Sequence, residues 1–296
     1  IGDREGRLVT GASRSADVFG ISYELLPADE VMRRYPAFRL PHGFAAVYEP
    51  DAGYLVPERC VAAALGEASK RGAVLRVEQP IVDWEVAGDR RVTIRTDSET
   101  VTARRLILAS GAWMGSLARC ALPLSVERLV AFWFEPAGTN EHFSARALPA
   151  YIIHGEAGLN FYGFPSDSRY PTAAKVAFDN VSSPTSVDGI DRTVSAEEIE
   201  RMATSVGPYL PALPGRCIEH SVCMYTCTPD DDFVIDRHPE YPEVVLASPC
   251  SGHGFKFASG IGELLGTLAM GETPTVDLFP FRYDRFSTAP SPVGGA

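Results

Sequence analysis

Lysine is almost missing from this sequence. Among 296 residues there are three, Lys70, Lys175 and Lys256, against 24 arginines. Arginine offers a fixed planar charge and lysine a compact, adjustable ammonium, so a retained lysine marks a place whose chemistry arginine does not supply. The competing reading is the chance survival of three solvated lysines. Lys70 lies in EASKRGA, at the end of a predicted helix where a cation is favoured, and reads as structural. Lys175 interrupts the apolar strand pattern TAAKVAF, and Lys256 follows a glycine turn; both remain candidates. Cysteine is also sparse, with six in the chain. That is no disulfide framework, so a reducing compartment, the cytoplasm, is expected. Cys217, Cys223, Cys227 and Cys250 are irregularly spaced, and no metal site is expected from them.

Positive charge is in deficit. The formal net charge of −11 argues against nucleic acid or an anionic membrane as partner. No apolar run approaches the roughly 18 residues of a membrane helix. No basic segment leading into an apolar one opens the chain, so no signal peptide is expected. An initiating methionine is missing too, and Ile1 in its place suggests a processed chain or a fragment. Several catalytic signatures are absent. SGHGFKFASG (251–260) is no phosphate loop, since neither Ser nor Thr follows its Lys. Gly252 and Gly254 fit a dinucleotide fingerprint, but Phe257 stands at its third glycine. Neither G-x-S-x-G nor H-E-x-x-H occurs.

What is present is a pattern of two kinds of sheet. EVVLAS (243–248) reads as a buried strand, followed by a glycine turn and a helix. Phe257, Ile261, Leu264, Leu265 and Leu268 recur at helical spacing, and Gly271 offers a stop. ARRLILASGAWMGSLA repeats the strand–glycine–helix order. Such units point to a nucleotide-binding layer architecture, and the open N-terminus of a helix favours an electron-rich group. LVAFWFEP, AYIIHGE, LNFYGFP and AAKVAFD read instead as successive strands of an antiparallel sheet. Helices are predicted in PADEVMRRYP, in PERCVAAALGEASKRG with Pro at its first position, and in SAEEIERMATSVGPYLP with a Ser cap. AVLRV, IVDWEV and RVTIRT read as strands, with AGDR as a hairpin turn. Residues 1–28 carry little pattern. The fold class is α/β (α+β): a Rossmann-like nucleotide-binding layer interlaced with a mainly antiparallel domain. The boundaries expected are 1–48 and 127–226 for the antiparallel domain, 49–126 and 227–286 for the nucleotide-binding domain, and a loose tail at 287–296.

The run SVCMYTCTPDDDFVIDRHPEYPEVVLASPCSGHGFKFASGIGELL resembles the C-terminal signature of the monomeric sarcosine oxidase and N-methyltryptophan oxidase family. These are FAD-dependent amine oxidases of the D-amino-acid-oxidase superfamily, so the resemblance implies that the layered domain is an incomplete FAD-binding Rossmann-like domain and the antiparallel one a substrate domain. The likeness extends to DLFPFRYDRF and, more weakly, to FYGFP, LILASGAWMGSL, YEPDAGYL and RRYPAFRLP. It implies FAD joined by a thioether from Cys223 to the 8α-methyl of the ring, a step suited to a soft thiolate nucleophile; the plain alternative is a small buried hydrophobe. It implies further that Met224, Gly252, His253, Gly254, Phe255, Lys256, Gly111, Ala112, Trp113 and Ile81 contact the cofactor. Lys256 is implied to pair with a substrate carboxylate, and Lys175 to activate dioxygen by stabilising charge as it forms. His253, Tyr225 and Tyr162 are implied at the reaction centre. Tyr162 and Tyr225 read equally well as ordinary strand aromatics, and Ile81 as a core residue.

Two departures stand out. The family's opening G-x-G-x-x-G unit has no counterpart here, which suggests a truncated chain. Asp179 stands where sarcosine oxidases have His, four residues after the implied oxygen-activating lysine, which puts sarcosine itself in doubt. The expected function is oxidation of a secondary amine or N-methyl amino acid to the imine, with O2 reduced to H2O2, by a cytoplasmic monomer. A flavin dehydrogenase, a biosynthetic cyclic-amine oxidase and a non-catalytic remnant are the alternatives.

Overall fold

The computed structural model describes residues 1–286; the expected tail at 287–296 lies outside the described residues. In chain order the elements are β1 (Gly2–Asp3), α1 (Arg7–Phe19), β2 (Glu24–Pro27), α2 (Ala28–Arg34), β3 (Phe44–Tyr48), α3 (Pro57–Lys70), β4 (Ile81–Val86), β5 (Val92–Thr96), β6 (Thr100–Ala103) and β7 (Leu106–Leu108). There follow α4 (Met114–Leu117), β8 (Ser125–Glu135), β9 (Tyr151–His154), β10 (Asn160–Phe164), β11 (Ala174–Phe178), β12 (Ser183–Thr185), α5 (Ala196–Val206), β13 (Arg216–Cys227), β14 (Val234–Arg237), β15 (Val244–Ser248) and α6 (Ala258–Met270). The chain forms two compact units. The first comprises Ile1–Tyr54, Arg128–Ser183 and Gly189–Cys223; the second comprises Leu55–Glu127, Pro184–Asp188 and the chain from Met224 onward.

The first unit is built on a sheet of order β12–β8–β11–β10–β9, with β13 also on β8. β8, β11, β10 and β9 are antiparallel neighbours, as the alternating sequence predicts. In β11, Ala174, Val176 and Phe178 are buried while Lys175 and Ala177 take the opposite face by the period of two. The inner face packs Phe132, Phe134, Phe161 and Val176 against Met202 and Val206 of α5. That helix begins with a capping box: the Ser195 hydroxyl accepts from the Glu198 N–H at 3.2 Å, and the Glu198 carboxylate accepts from the Ser195 N–H at 2.9 Å. Residues 7–19, in a stretch with little sequence pattern, form α1. It buries only Val9 and Ala16 and is closed by Gly20 in the left-handed conformation.

The second unit holds two sheets, β14–β15–β7 and the meander β4–β5–β6. β15 is antiparallel to β14 and parallel to β7. Its residues alternate between two cores. Val244 and Leu246 pack with Trp84, Leu108 and Met114, while Val245 and Ala247 pack with Phe233, Ile261, Leu265 and Leu268. Burial on both faces explains the unbroken apolar run of this strand. Ala73–Val77, expected as a strand, has no strand partner among the described residues, and Val74 and Val77 are 78% and 80% exposed. β-Branched composition alone does not make a strand where no edge receives it. α3 forms as expected but buries none of its residues.

Trp84 anchors the meander. Its indole N–H donates to the Leu117 carbonyl at 2.7 Å, and His238 and Tyr241 meet its ring edge-on. His238 is buried; its Nε2 lies 2.9 Å from the Ala118 carbonyl, and its Nδ1 accepts from the Glu240 and Tyr241 N–H groups. Those partners specify the neutral ring with its proton on Nε2, and burial lowers its pKa below the ordinary histidine value.

Two predictions follow from these contacts. A Cβ on Gly163 would lie 2.2 Å from the Tyr151 hydroxyl oxygen and 2.8 Å from the Lys175 carbonyl oxygen. Gly163→Ala is therefore expected to cost about 1–3 kcal/mol in urea unfolding, with part of the loss recovered by the added change Tyr151→Leu. The unfolded chain binds a proton at His238 more readily than the folded one, so its contribution makes the protein less stable as pH falls below the unfolded histidine value. His238→Gln is expected to lower stability at pH 8 but to flatten the further loss between pH 7 and pH 5. An unchanged slope in urea titrations across that range would remove His238 from the pH response.

Candidate functional site

The parallel pairing of β7 with β15 sets Leu106 beside Val244 and Leu108 beside Leu246. Both strands therefore end on the same edge of the sheet, and each is followed by a glycine turn and a helix. In open α/β sheets, ligands bind at the carboxyl ends of such strands. After β7, Gly111 has φ +52° and opens a single 3-10 turn, Gly111–Trp113, that runs into α4. After β15, Ser251 and Gly252 take φ of +44° and +77° in succession, and a 3-10 turn, Gly254–Phe257, leads into α6. Neither this turn nor α6 carries a side-chain cap.

The second turn is fixed from several sides. The Ser251 N–H donates to the Thr226 carbonyl of β13 at 2.8 Å, and the Ser251 hydroxyl donates to the Asp232 carbonyl at 3.2 Å. A Cβ on Gly254 would fall 1.6 Å from the Pro249 carbonyl oxygen, and one on Gly252 would fall 2.5 Å from the Tyr225 ring. Both glycines are required by close approach. The same contact places the Tyr225 ring against Gly252. The His253 ring is tied to the Asp231 carbonyl at 2.9 Å and lies 5.1 Å from the Phe233 ring. Lys256 sets its ammonium 5.7 Å from the Phe257 ring. Phe257 belongs to the turn and is 47% exposed; it does not extend the buried stripe of α6 as its spacing predicts. Trp113 and Phe255 are also exposed, at 50% and 40%.

In the first unit, Lys175 stands opposite Trp133 of β8 and Phe164 of β10. Its ammonium lies 5.2 Å from the Trp133 ring, 5.4 Å from Phe164 and 5.8 Å from Tyr162. The sheet therefore brings Lys175 and Tyr162 together. Sequence reading missed Trp133 and Phe164, although the alternation in AFWF and FYGF puts each on its strand's outer face.

Cys223 and Met224 are half-buried in β13, and the boundary between the units falls between them. By strand alternation Cys223 shares a face with Tyr225. The nearby thiols are poor nucleophiles: burial, with help from Glu127, Asp231 and Cys250, pushes Cys227 up to about 11, and burial raises Cys250. Ile81 starts β4 in the meander and is an exposed residue, so the plain core reading of it does not hold. Among the described residues no three His, Cys, Asp or Glu side chains group to hold a metal ion, and no helix is long and apolar enough to cross a membrane.

Comparison with known proteins adds the context for these turns. Residues 3–268 match the family model described as FAD dependent oxidoreductase. The chain is similar to monomeric sarcosine oxidase from Streptomyces avermitilis, with 37% identity over 293 residues, 98% of this chain and 76% of that protein. It is similar to N-methyl-L-tryptophan oxidase from Salmonella heidelberg, with 29% identity over 97% of this chain and 76% of that protein. In fold it resembles NikD, an unusual amino acid oxidase essential for nikkomycin biosynthesis, with a TM-score of 0.76 and 20% identity over 93% of this chain and 72% of that one. The chain belongs to the family of FAD-dependent oxidoreductases.

Proposed function

We propose that the protein oxidises a secondary amine or N-methyl amino acid to the corresponding imine, with dioxygen as the electron acceptor. The observation that carries this reading is the pair of glycine turns at the carboxyl ends of β7 and β15, supported by the names of the relatives. The turns suit the ring of FAD because they leave the flat side chains of Trp113, Phe255 and Phe257 exposed, while β15 itself is buried along its whole length. When bound, FAD would take a hydride equivalent from the carbon beside the amine nitrogen and pass two electrons and two protons to dioxygen, giving hydrogen peroxide.

The roles of the chain's own residues follow from their chemistry. Gly111, Ala112, Trp113, Gly252, His253, Gly254 and Phe255 hold the cofactor, and Ile81 and Met224 add contacts to it. The uncapped start of the helix after β15 favours negative charge. Lys256 pairs with a substrate carboxylate as a movable point charge. Tyr225 and Tyr162 shape the space for the substrate. Lys175 presents a cation to dioxygen as it takes up charge. Cys223 attaches the cofactor through sulfur; forming that S–C bond removes one hydrogen from the thiol and one from the ring methyl, and the two electrons pass to dioxygen. Asp179, the residue after β11, suits a substrate more cationic than sarcosine or differently shaped.

Two measurements test these assignments. The visible spectrum of the FAD-loaded protein, followed by acid precipitation, is expected to leave the colour in the pellet, and Cys223→Ser is expected to release it to the supernatant. Colour in the supernatant for the unmutated chain would overturn the attachment. Lys175→Met is expected to slow reoxidation of the reduced protein by air by about a hundredfold or more, with anaerobic reduction by an amine substrate little changed. Equal reoxidation rates in stopped flow would overturn the role of Lys175.

A further inference from the structure

The lysine on β11 is held in a box of aromatic rings. Across the sheet, Trp133, Lys175 and Phe164 form one row on three adjacent strands, so their side chains rise side by side from one face. Tyr162 is the diagonal neighbour, paired with Ala177 two residues further along β11. Each wall is braced in turn. Tyr162 meets Phe164 edge-on at 5.9 Å, and Tyr54 packs on Phe164 at 5.5 Å. Tyr170 packs on Trp133 at 5.0 Å, and the Arg169 guanidinium covers Tyr170 at 5.2 Å. The backbone of Tyr170 is pinned by its N–H donating to the Asp167 carboxylate at 3.0 Å.

A lysine side chain has four rotatable carbon–carbon links and, on an open sheet face, samples many positions. Three ring faces and edges around its ammonium remove most of them. Ring faces attract a cation through their quadrupole, Trp most strongly, and they do so without supplying a formal negative charge. The ring contacts thus restrict where the ammonium can sit.

We propose that Trp133 is the positioning residue for Lys175, fixing its ammonium at the point from which it acts on dioxygen. This rests on the oxygen role given to Lys175 above. Trp133 touches neither substrate nor oxygen in this scheme; it acts through the lysine, with Tyr170 holding the indole from behind.

The scarcity of lysine makes a direct test possible. Reductive methylation with carbon-13 formaldehyde labels Lys70, Lys175, Lys256 and the terminal amine while keeping their charge, and Lys175→Arg assigns the Lys175 signal. Ring currents are expected to make it the most upfield of the three lysine signals. Trp133→Leu is expected to return it towards the Lys70 position, and Trp133→Phe to keep most of the displacement. Tyr170→Ala, which leaves the row itself intact, is expected to shift it in the same direction by less, and stands in if Trp133→Leu does not fold. In the FAD-loaded protein, Trp133→Leu is expected to slow reoxidation by air by about tenfold or more, with anaerobic reduction unchanged and with Trp133→Phe close to the parent. A Lys175 signal unmoved in folded Trp133→Leu and Tyr170→Ala overturns the proposal. So does a moved signal with unchanged reoxidation where Lys175→Met is slow. Where Lys175→Met is itself fast, the oxygen role fails, and a moved signal still shows that Trp133 places the lysine.

Discussion

The parallel pairing of β15 with β7 is the constraint on which the second unit depends. β15 sends Val244 and Leu246 into one core and Val245 and Ala247 into the other, so one five-residue strand joins two packed layers. A strand buried on both faces has no solvent side, and a slip of one residue would exchange its two cores side chain for side chain. Its register with β7 also fixes where both strands end, and hence that the turns at Gly111 and Gly252 open on the same edge. The two turns sit where they do because the hydrophobic layers beneath them leave a single alignment.

The second turn is tighter than its glycine content suggests. Gly254 lies against the Pro249 carbonyl and Gly252 against the Tyr225 ring, while Ser251, although not glycine, holds a positive φ. That backbone cost is met by the N–H and hydroxyl bonds of Ser251 to Thr226, Thr228 and Asp232. Each of those partners belongs to β13 or to the loop that leaves it. The conformation of the turn is therefore a property of β13 as much as of the turn's own sequence, and Tyr225 is placed by the same strand that anchors Ser251.

Much of this was legible in the sequence, because the signals were local and periodic. The strand–glycine–helix order of LILASGAWMGSL and VVLASPCSGHGFKF gave the two turns, and Lys175 stood out as the one charged residue in the apolar pattern TAAKVAF. Helix α1 was not read from the sequence: it has no side-chain cap and no acidic residue in its first turn, and Gly11, Ser13 and Ser15 are weak helix formers. Ala73–Val77 has strand composition but pairs with no strand among the described residues. Phe257 has the right spacing for α6 but sits in the turn before it, where helical periodicity has not begun. The aromatic row around Lys175 needed three strands to be aligned side by side, and cross-strand register is not written in any one of them.

Lysine scarcity and the aromatic row bear on each other. Arginine is planar, and its guanidinium lies over rings, as that of Arg119, which also pairs with Asp83, does over Trp84 and that of Arg169 over Tyr170. At position 175 the rings stand at similar distances on several sides, and a planar group would satisfy one ring at the expense of the others. A near-spherical ammonium has no preferred face and can meet all three. The geometry of the box, apart from any role in catalysis, accounts for a lysine at 175 in a chain that has only two others.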